Sequence, residues 1–310
     1  MSRIAPWLFC WAALLAAGSS ARSGEIAPAL DLSIFDRTNL VAWCIVPFDG
    51  KKRAPEERAQ MLESLGIRRL AYDYRAEHVP QFDTEMDALK RHGIELTAWW
   101  FPGTMDAEAR LILDVLRRHK LRTQLWITGG GGPVTSPEEQ KERVRVEADR
   151  LKPIAQAATQ VGCSIALYNH GGWFGEPENQ LAILELLRSE GVTNAGIVYN
   201  LHHGHDHLDR FPELLRQMKP YLMALNLNGM DKGGDKAGRK ILPIGAGNED
   251  RALLETIARS GWRGPIGILN HTDEDAEGRL QDNLAGLDWL LKRLKGTAPG
   301  KAPVWRTFKG

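Results

Sequence analysis

Short apolar runs alternate along the chain with longer segments of helical spacing, the pattern of a parallel sheet joined by crossover helices. Eight runs read as strands. In the first half they begin at Asn39-Leu-Val-Ala-Trp-Cys-Ile-Val, Arg69-Leu-Ala-Tyr-Asp-Tyr, Ile94-Glu-Leu-Thr-Ala-Trp-Trp and Leu121-Arg-Thr-Gln-Leu-Trp-Ile. The second half continues with Cys163-Ser-Ile-Ala-Leu-Tyr, Ala195-Gly-Ile-Val-Tyr-Asn, Tyr221-Leu-Met-Ala-Leu-Asn-Leu and Pro265-Ile-Gly-Ile-Leu-Asn.

The intervening segments carry helix signals. Pro55-Glu-Glu and Ser136-Pro-Glu-Glu place proline and acids where a first helical turn favours them. Leu280, Leu284, Leu287, Leu291 and Leu294 recur at steps of four and three, one stripe able to lie on a sheet. Gly66, Gly93, Gly162, Gly191 and Gly261 each precede a strand, where a helix ends on a left-handed residue. Eight such units without a dividing linker predict a single-domain (β/α)8 TIM barrel over residues 39–295. An open doubly wound sheet is the alternative, but no GxGxxG turn follows the first strand. Residues 296–310, rich in Lys and Pro, read as an extended or loosely packed tail.

The start of the chain changes the cellular picture. A positive charge at Arg3, an apolar run from Ala5 to Ala17 and the small residues Gly18-Ser-Ser-Ala21 occur in the order of a signal peptide. Cleavage near Ala21 is expected, leaving residues 22–38 as an extension ahead of the barrel and a periplasmic or secreted protein without a membrane anchor. The 40 basic and 39 acidic residues are interspersed and give a formal charge of +1. This provides neither the basic stripe of a nucleic-acid binder nor the polybasic patch of a membrane protein. A small polar ligand fits better, and nothing in the sequence sets the oligomeric state. Cys44 and Cys163 sit in strand-like runs, where buried free thiols are expected.

Ligands of such barrels bind at the carboxyl ends of the strands. Those ends offer Asp73 and Tyr74, Trp99 and Trp100, Tyr168-Asn169-His170, Asn200 with His202 and His203, Asn226 with Asn228, and Asn270-His271. Any one Asn or His reads as a satisfied turn residue, whereas convergence from several strands favours a site. Trp99, Trp100, Trp173 and Phe174 are aromatic faces suited to stacking on a sugar, or else ordinary packing. Gly129 to Gly132 reads as a flexible loop, or as backbone N–H groups for a phosphate.

Three stretches carry a family likeness: Ile165-Ala-Leu-Tyr-Asn-His, Gly196-Ile-Val-Tyr-Asn-Leu-His-His, and Pro243-Ile-Gly-Ala-Gly-Asn-Glu-Asp followed by Gly264-Pro-Ile-Gly-Ile. Through them the chain, from about Asn39 to Leu294, resembles the sugar phosphate isomerase/epimerase family, barrels similar to xylose isomerase, tagatose epimerase and endonuclease IV. That resemblance implies a divalent metal held by Glu, Asp, His and Glu after the fifth to eighth strands. Here the aligned positions are Tyr168, Asn200, Asn226 and Leu269, while His203 matches a His of the family's Asp-x-x-His pattern. Three metal readings follow: a relocated site using His170, His203 and His271 or Glu176, no metal at all, or adventitious binding by the loop of His202, His203, His205 and His207.

The implied chemistry is proton abstraction beside a carbonyl on a free or glycosidic sugar, giving isomerisation, epimerisation or elimination. His203 or His170 is the expected base, and Glu176 or Lys232 the second proton-transfer group. Trp99, Trp100, Tyr168, Trp173, Asn200, Asn226, Asn228 and Asn270 are the expected sugar-binding residues. A non-catalytic carbohydrate-binding barrel and a metal-dependent hydrolase are the rival readings.

Overall fold

The computed structural model describes residues 30–308; the expected leader and its cleavage site lie outside them. Eight parallel strands close into a barrel in sequence order. Its first half holds β1 (Leu40–Trp43), α1 (Pro55–Ser64), β2 (Arg69–Tyr72), α2 (Phe82–Arg91), β3 (Glu95–Phe101), α3 (Ala107–His119), β4 (Gln124–Ile127) and α4 (Pro137–Gln160). The second half holds β5 (Ser164–Tyr168), α5 (Gly172–Gly175), α6 (Pro177–Ser189), β6 (Ala195–Asn200), α7 (Phe211–Met218), β7 (Leu222–Leu227), α8 (Asp250–Arg259), β8 (Ile266–Leu269) and α9 (Ala276–Leu294). The expected single barrel is therefore present, and the open sheet is excluded by the pairing of Leu40 with Ile266 and Trp43 with Leu269 that joins β1 to β8.

The sequence signals act as expected. Pro55 and Pro137 open their helices, and the Ser136 hydroxyl accepts the Glu139 N–H at 3.1 Å. All five predicted helix-ending glycines have positive φ, from 62° at Gly93 to 85° at Gly191. Both thiols are buried and free.

Period-two alternation splits each strand between two layers. Val41, Trp43, Ala71, Ala98, Trp126, Ala166, Tyr168, Val198, Ala224 and Leu269 fill the barrel interior. Their neighbours, such as Leu70, Tyr72, Trp99, Ile165, Leu167, Ile197, Tyr199 and Ile268, pack outward against the helices. The bulky aromatics of the interior cluster raise its floor toward the carboxyl ends of the strands.

Two further features fix the frame. The Asp250 carboxylate accepts N–H groups of Met230 and Gly245 at 2.6 Å and of Gly247 at 3.1 Å. The Pro243-Ile-Gly-Ala-Gly-Asn-Glu-Asp motif thus buttresses the loop between β7 and α8. Beyond α9, the tail is tied down by Asp282, which accepts N–H groups of Arg306 and Thr307 at 2.9 and 2.8 Å. Trp305 lies against Gly286, where an added Cβ would stand 1.6 Å from the Ile244 carbonyl oxygen. Gly286→Ala should therefore lower stability by about 1–3 kcal/mol through overpacking. Chemical denaturation checks this; an unchanged midpoint would show that α9 can shift freely.

Candidate functional site

The strand ends surround a cavity of about 390 Å³, within the range of small-molecule sites, roughly 300–1,000 Å³. Its aromatic lining includes Trp43, Trp100 and Tyr168. Trp43 and Trp126 meet edge to face with centroids 4.7 Å apart, and Trp100 meets Tyr168 the same way at 5.1 Å. The Trp43 Nε1–H reaches the Tyr168 hydroxyl at 3.4 Å, and the Asn200 amide donates to that same oxygen. Burial pushes the Tyr168 phenol well above its ordinary range, so it stays neutral.

Four imidazoles stand on this floor. His170 follows β5, and His202 and His203 sit on the 3-10 turn Leu201–His203 that ends β6, where the Asn200 side chain accepts the His202 N–H. His271 follows β8 and stacks on Phe48 with centroids 3.7 Å apart. The rings of His170 and His203 are 4.5 Å apart, and those of His202 and His203 are 3.6 Å apart. Burial first, then neighbouring imidazoles and Lys240, lowers the pKa of His203 to about 3. Burial and nearby positive charge also lower His170, His202 and His271. All four are therefore neutral at neutral pH.

The β1 and β2 side carries different chemistry. Cys44 leaves β1 with a φ of 57°, a conformation that turns the chain sharply at the rim. Its thiol, beside Asp73, is pushed far up by burial. Asp73 follows β2, is 3% exposed, and neither carboxyl oxygen has a hydrogen-bond partner. Burial raises its pKa to about 7, against the opposing charge of Arg75. Tyr74 donates its hydroxyl to Glu108 at 2.5 Å. In a closed ring of eight strands β2 lies across from β6, so Asp73 and His203 occupy opposite walls.

Of the expected site residues, Trp100, Tyr168, His170, His203 and His271 line the cavity, and Asn200 supports it through Tyr168. The others lie elsewhere. Trp99 is fully buried on the outer face of β3, edge to face with Tyr72 and Phe82 at 5.2 and 4.9 Å, so it is core. Trp173 bonds Gln140 at 2.7 Å behind the rim. Asn228 donates to the carbonyls of Gly229 and Lys240, and Asn270 to that of Ala276; both are turn residues. Asn226 is buried against Gly267 and does not line the cavity, with its amide atoms unpartnered. Glu176 pairs with His207 and Arg210 at 3.2 and 3.0 Å, and Lys232 pairs with Asp209 on the surface. Neither lines the cavity. Trp43, Cys44, Phe48, Arg75 and Glu108 also line it and were not singled out by the sequence.

The positions at which the resemblance implies a metal do not fit one. Tyr168 and Asn200 satisfy each other, Leu269 is apolar, and Asn226 is a neutral amide. A hard dication needs anionic oxygens that these residues lack. The relocated set of His170, His203 and His271 is not assembled either: the His271 ring lies against Phe48 and His202. Among the described residues no group of three or more His, Cys, Asp or Glu side chains converges as a metal site needs. His205 and His207 turn away from the cavity, to the carbonyls of Asp231 and Lys240 and to Tyr199 and Glu176.

A closed barrel of eight parallel strands, with a pocket at their carboxyl ends, defines the class as a (β/α)8 barrel. The chain belongs to the xylose isomerase-like TIM barrel family, whose model matches residues 54–293. Solved structures share the fold at low identity. The 3-keto-D-glucoside 4-epimerase YcjR of E. coli is 17% identical with a TM-score of 0.60, over 82% of this chain and 99% of that one. D-psicose 3-epimerase of Clostridium cellulolyticum is 14% identical with a TM-score of 0.55, over 81% and 99%. A probable 3-DHS dehydratase of Bacillus anthracis is 12% identical with a TM-score of 0.58, over 79% and 98%. Among curated proteins, none matches the chain in sequence.

Proposed function

We propose that this protein is an exported sugar isomerase, epimerase or lyase that abstracts a proton beside a carbonyl of a free or glycosidic sugar. One observation carries the reading: the neutral imidazoles of His170 and His203, after β5 and β6, and the Asp73 carboxyl group, after β2, line one cavity with an aromatic floor. Aromatic rings stack on the apolar face of a sugar, and two proton-transfer groups on opposite walls serve opposite faces of one carbon. His203 or His170 accepts the proton as the C–H bond breaks. Asp73, which holds a proton up to about pH 7, replaces Glu176 and Lys232 as the second group. Inversion follows when the acid returns a proton to the far face, and elimination when a leaving group departs. The fold neighbours named as epimerases of a 3-ketoglucoside and of psicose support this chemistry. The order of charge, apolar run and small residues supports export.

The experiment is incubation of the mature protein in D2O with D-psicose, D-tagatose, D-fructose and a methyl 3-keto-D-glucoside, followed by NMR. Deuterium should enter at the carbon beside the carbonyl. The second reading is a sugar-binding barrel without turnover, favoured by the weak basicity of His203 in the unliganded pocket. Binding of these sugars with no exchange of any C–H would establish it instead.

A further inference from the structure

We infer that the sugar this pocket takes is an acidic one, a uronate or keto-aldonate whose carboxylate is held by Arg75. The inference rests on the reading of the pocket as a sugar site and names the class within it. Arg75 is the arginine of the cavity lining. It follows Asp73 and Tyr74 at the end of β2, donates Nη1–H to the Tyr74 carbonyl at 2.7 Å, and lies 5.2 Å from the centre of the Phe48 ring. Phe48 is itself backed by His271. The guanidinium is thus oriented from one side, and among the described residues it forms no ion pair.

Nearby arginines differ. Arg53 is taken by Asp49, Asp275 and Glu277, and Arg150 by Glu147 and the Gly103 carbonyl. The acids of the cavity do not answer Arg75 either. Glu108 accepts the Tyr74 hydroxyl, and Asp73, though it feels the Arg75 charge, forms no ion pair with it and is held largely protonated below pH 7 by burial. The field of Lys240 and of Arg75 adds to the same sign, since both depress the His271 imidazole. The lining therefore presents a free planar cation, neutral imidazoles and few ionised acids. A guanidinium of that kind matches a carboxylate, which accepts two parallel N–H bonds. A neutral sugar leaves its charge unanswered. With the carboxylate on the β2 side, the ring spans the aromatic floor toward His203 on the β6 side.

The test is calorimetry at pH 7 and low salt on the mature protein, with D-glucuronate and D-galacturonate against D-glucose and D-galactose. The acids should bind at least tenfold more tightly than their neutral partners, with the preference shrinking as salt is added. Arg75→Gln should erase that preference, and Arg75→Lys should retain part of it. The side chain is exposed at the rim, and its contacts are the neighbouring Tyr74 carbonyl and the Phe48 ring, so these variants fold. Equal binding of acid and neutral sugars, a preference untouched in Arg75→Gln, or no binding by any of the four overturns the inference. Acid preference without deuterium exchange removes the proton-transfer reading and keeps this one; exchange without acid preference does the reverse.

Discussion

Replacement of Arg58 by methionine is expected to lower stability by about 3–5 kcal/mol, the usual consequence of leaving one member of a buried ion pair alone. Arg58 of α1 and Glu85 of α2 meet at 3.1 Å with side chains 2% and 1% exposed. The pair is incompletely satisfied, because Arg58 Nε and Glu85 Oε1 have no partner and the adjacent Tyr72 hydroxyl has none. Burial already raises the pKa of Glu85 while Arg58 pulls it down. Without Arg58 the pKa must climb further, so the carboxyl takes up a proton on folding. Its folded value then lies above its unfolded one. The deficit of Arg58→Met is smallest in acid, grows as pH rises through the raised folded pKa, and levels off above it. Urea denaturation at several pH values checks the sign. The double variant Arg58→Met/Glu85→Met should recover most of the loss, since well-packed apolar groups replace such pairs with little penalty. A single variant within 1 kcal/mol of the parent, or a double variant worse than the single, would contradict this account.

His170→Gln and His203→Gln are each expected to reduce turnover, and the one that is the base by roughly a hundredfold or more, typical of lost general-base catalysis. Glutamine preserves bulk and hydrogen bonding but accepts no proton. The rings are 4.5 Å apart, close enough that a proton taken up by one disfavours protonation of the other. Asp73→Asn separates the walls: it should leave deuterium entry at the reacting carbon and suppress inversion. Metal content measured on the same samples distinguishes a ligand role, in which each single histidine change would release an ion together with activity. Full turnover in both histidine variants would remove them from the mechanism.

The architecture was legible because parallel strands buried on both faces leave unmistakable apolar runs, and glycines mark the helix ends between them. The site was legible only where a side chain sits at a strand end and points inward. Trp99 and Trp100 illustrate the limit: adjacent in sequence, one packs against Tyr72 and the other faces Tyr168. Period-two counting from Ala98, which faces the interior, separates them. Asn228 and Asn270 look like ligands in sequence but spend their amides on backbone carbonyls, and residue type alone does not reveal such pairings. Glu176 and Lys232 lie near strand ends in the sequence, but their loops carry them to surface partners. Phe48 and Arg75 were missed for another reason, because they stand in the loops after β1 and β2, past the apolar runs from which strand ends are read.

The ring is sealed by pairing its first strand with its last, Leu40 against Ile266. During synthesis the edge of β1 has no lasting partner on that side until β8 has left the ribosome, nearly the whole chain later. Contacts so distant in sequence form slowly. A half-made barrel exposes unpaired strand edges, which is a hazard in a crowded cytosol. Under the export we propose, the same delay is useful, because a channel that threads unfolded polypeptide passes a barrel not yet sealed.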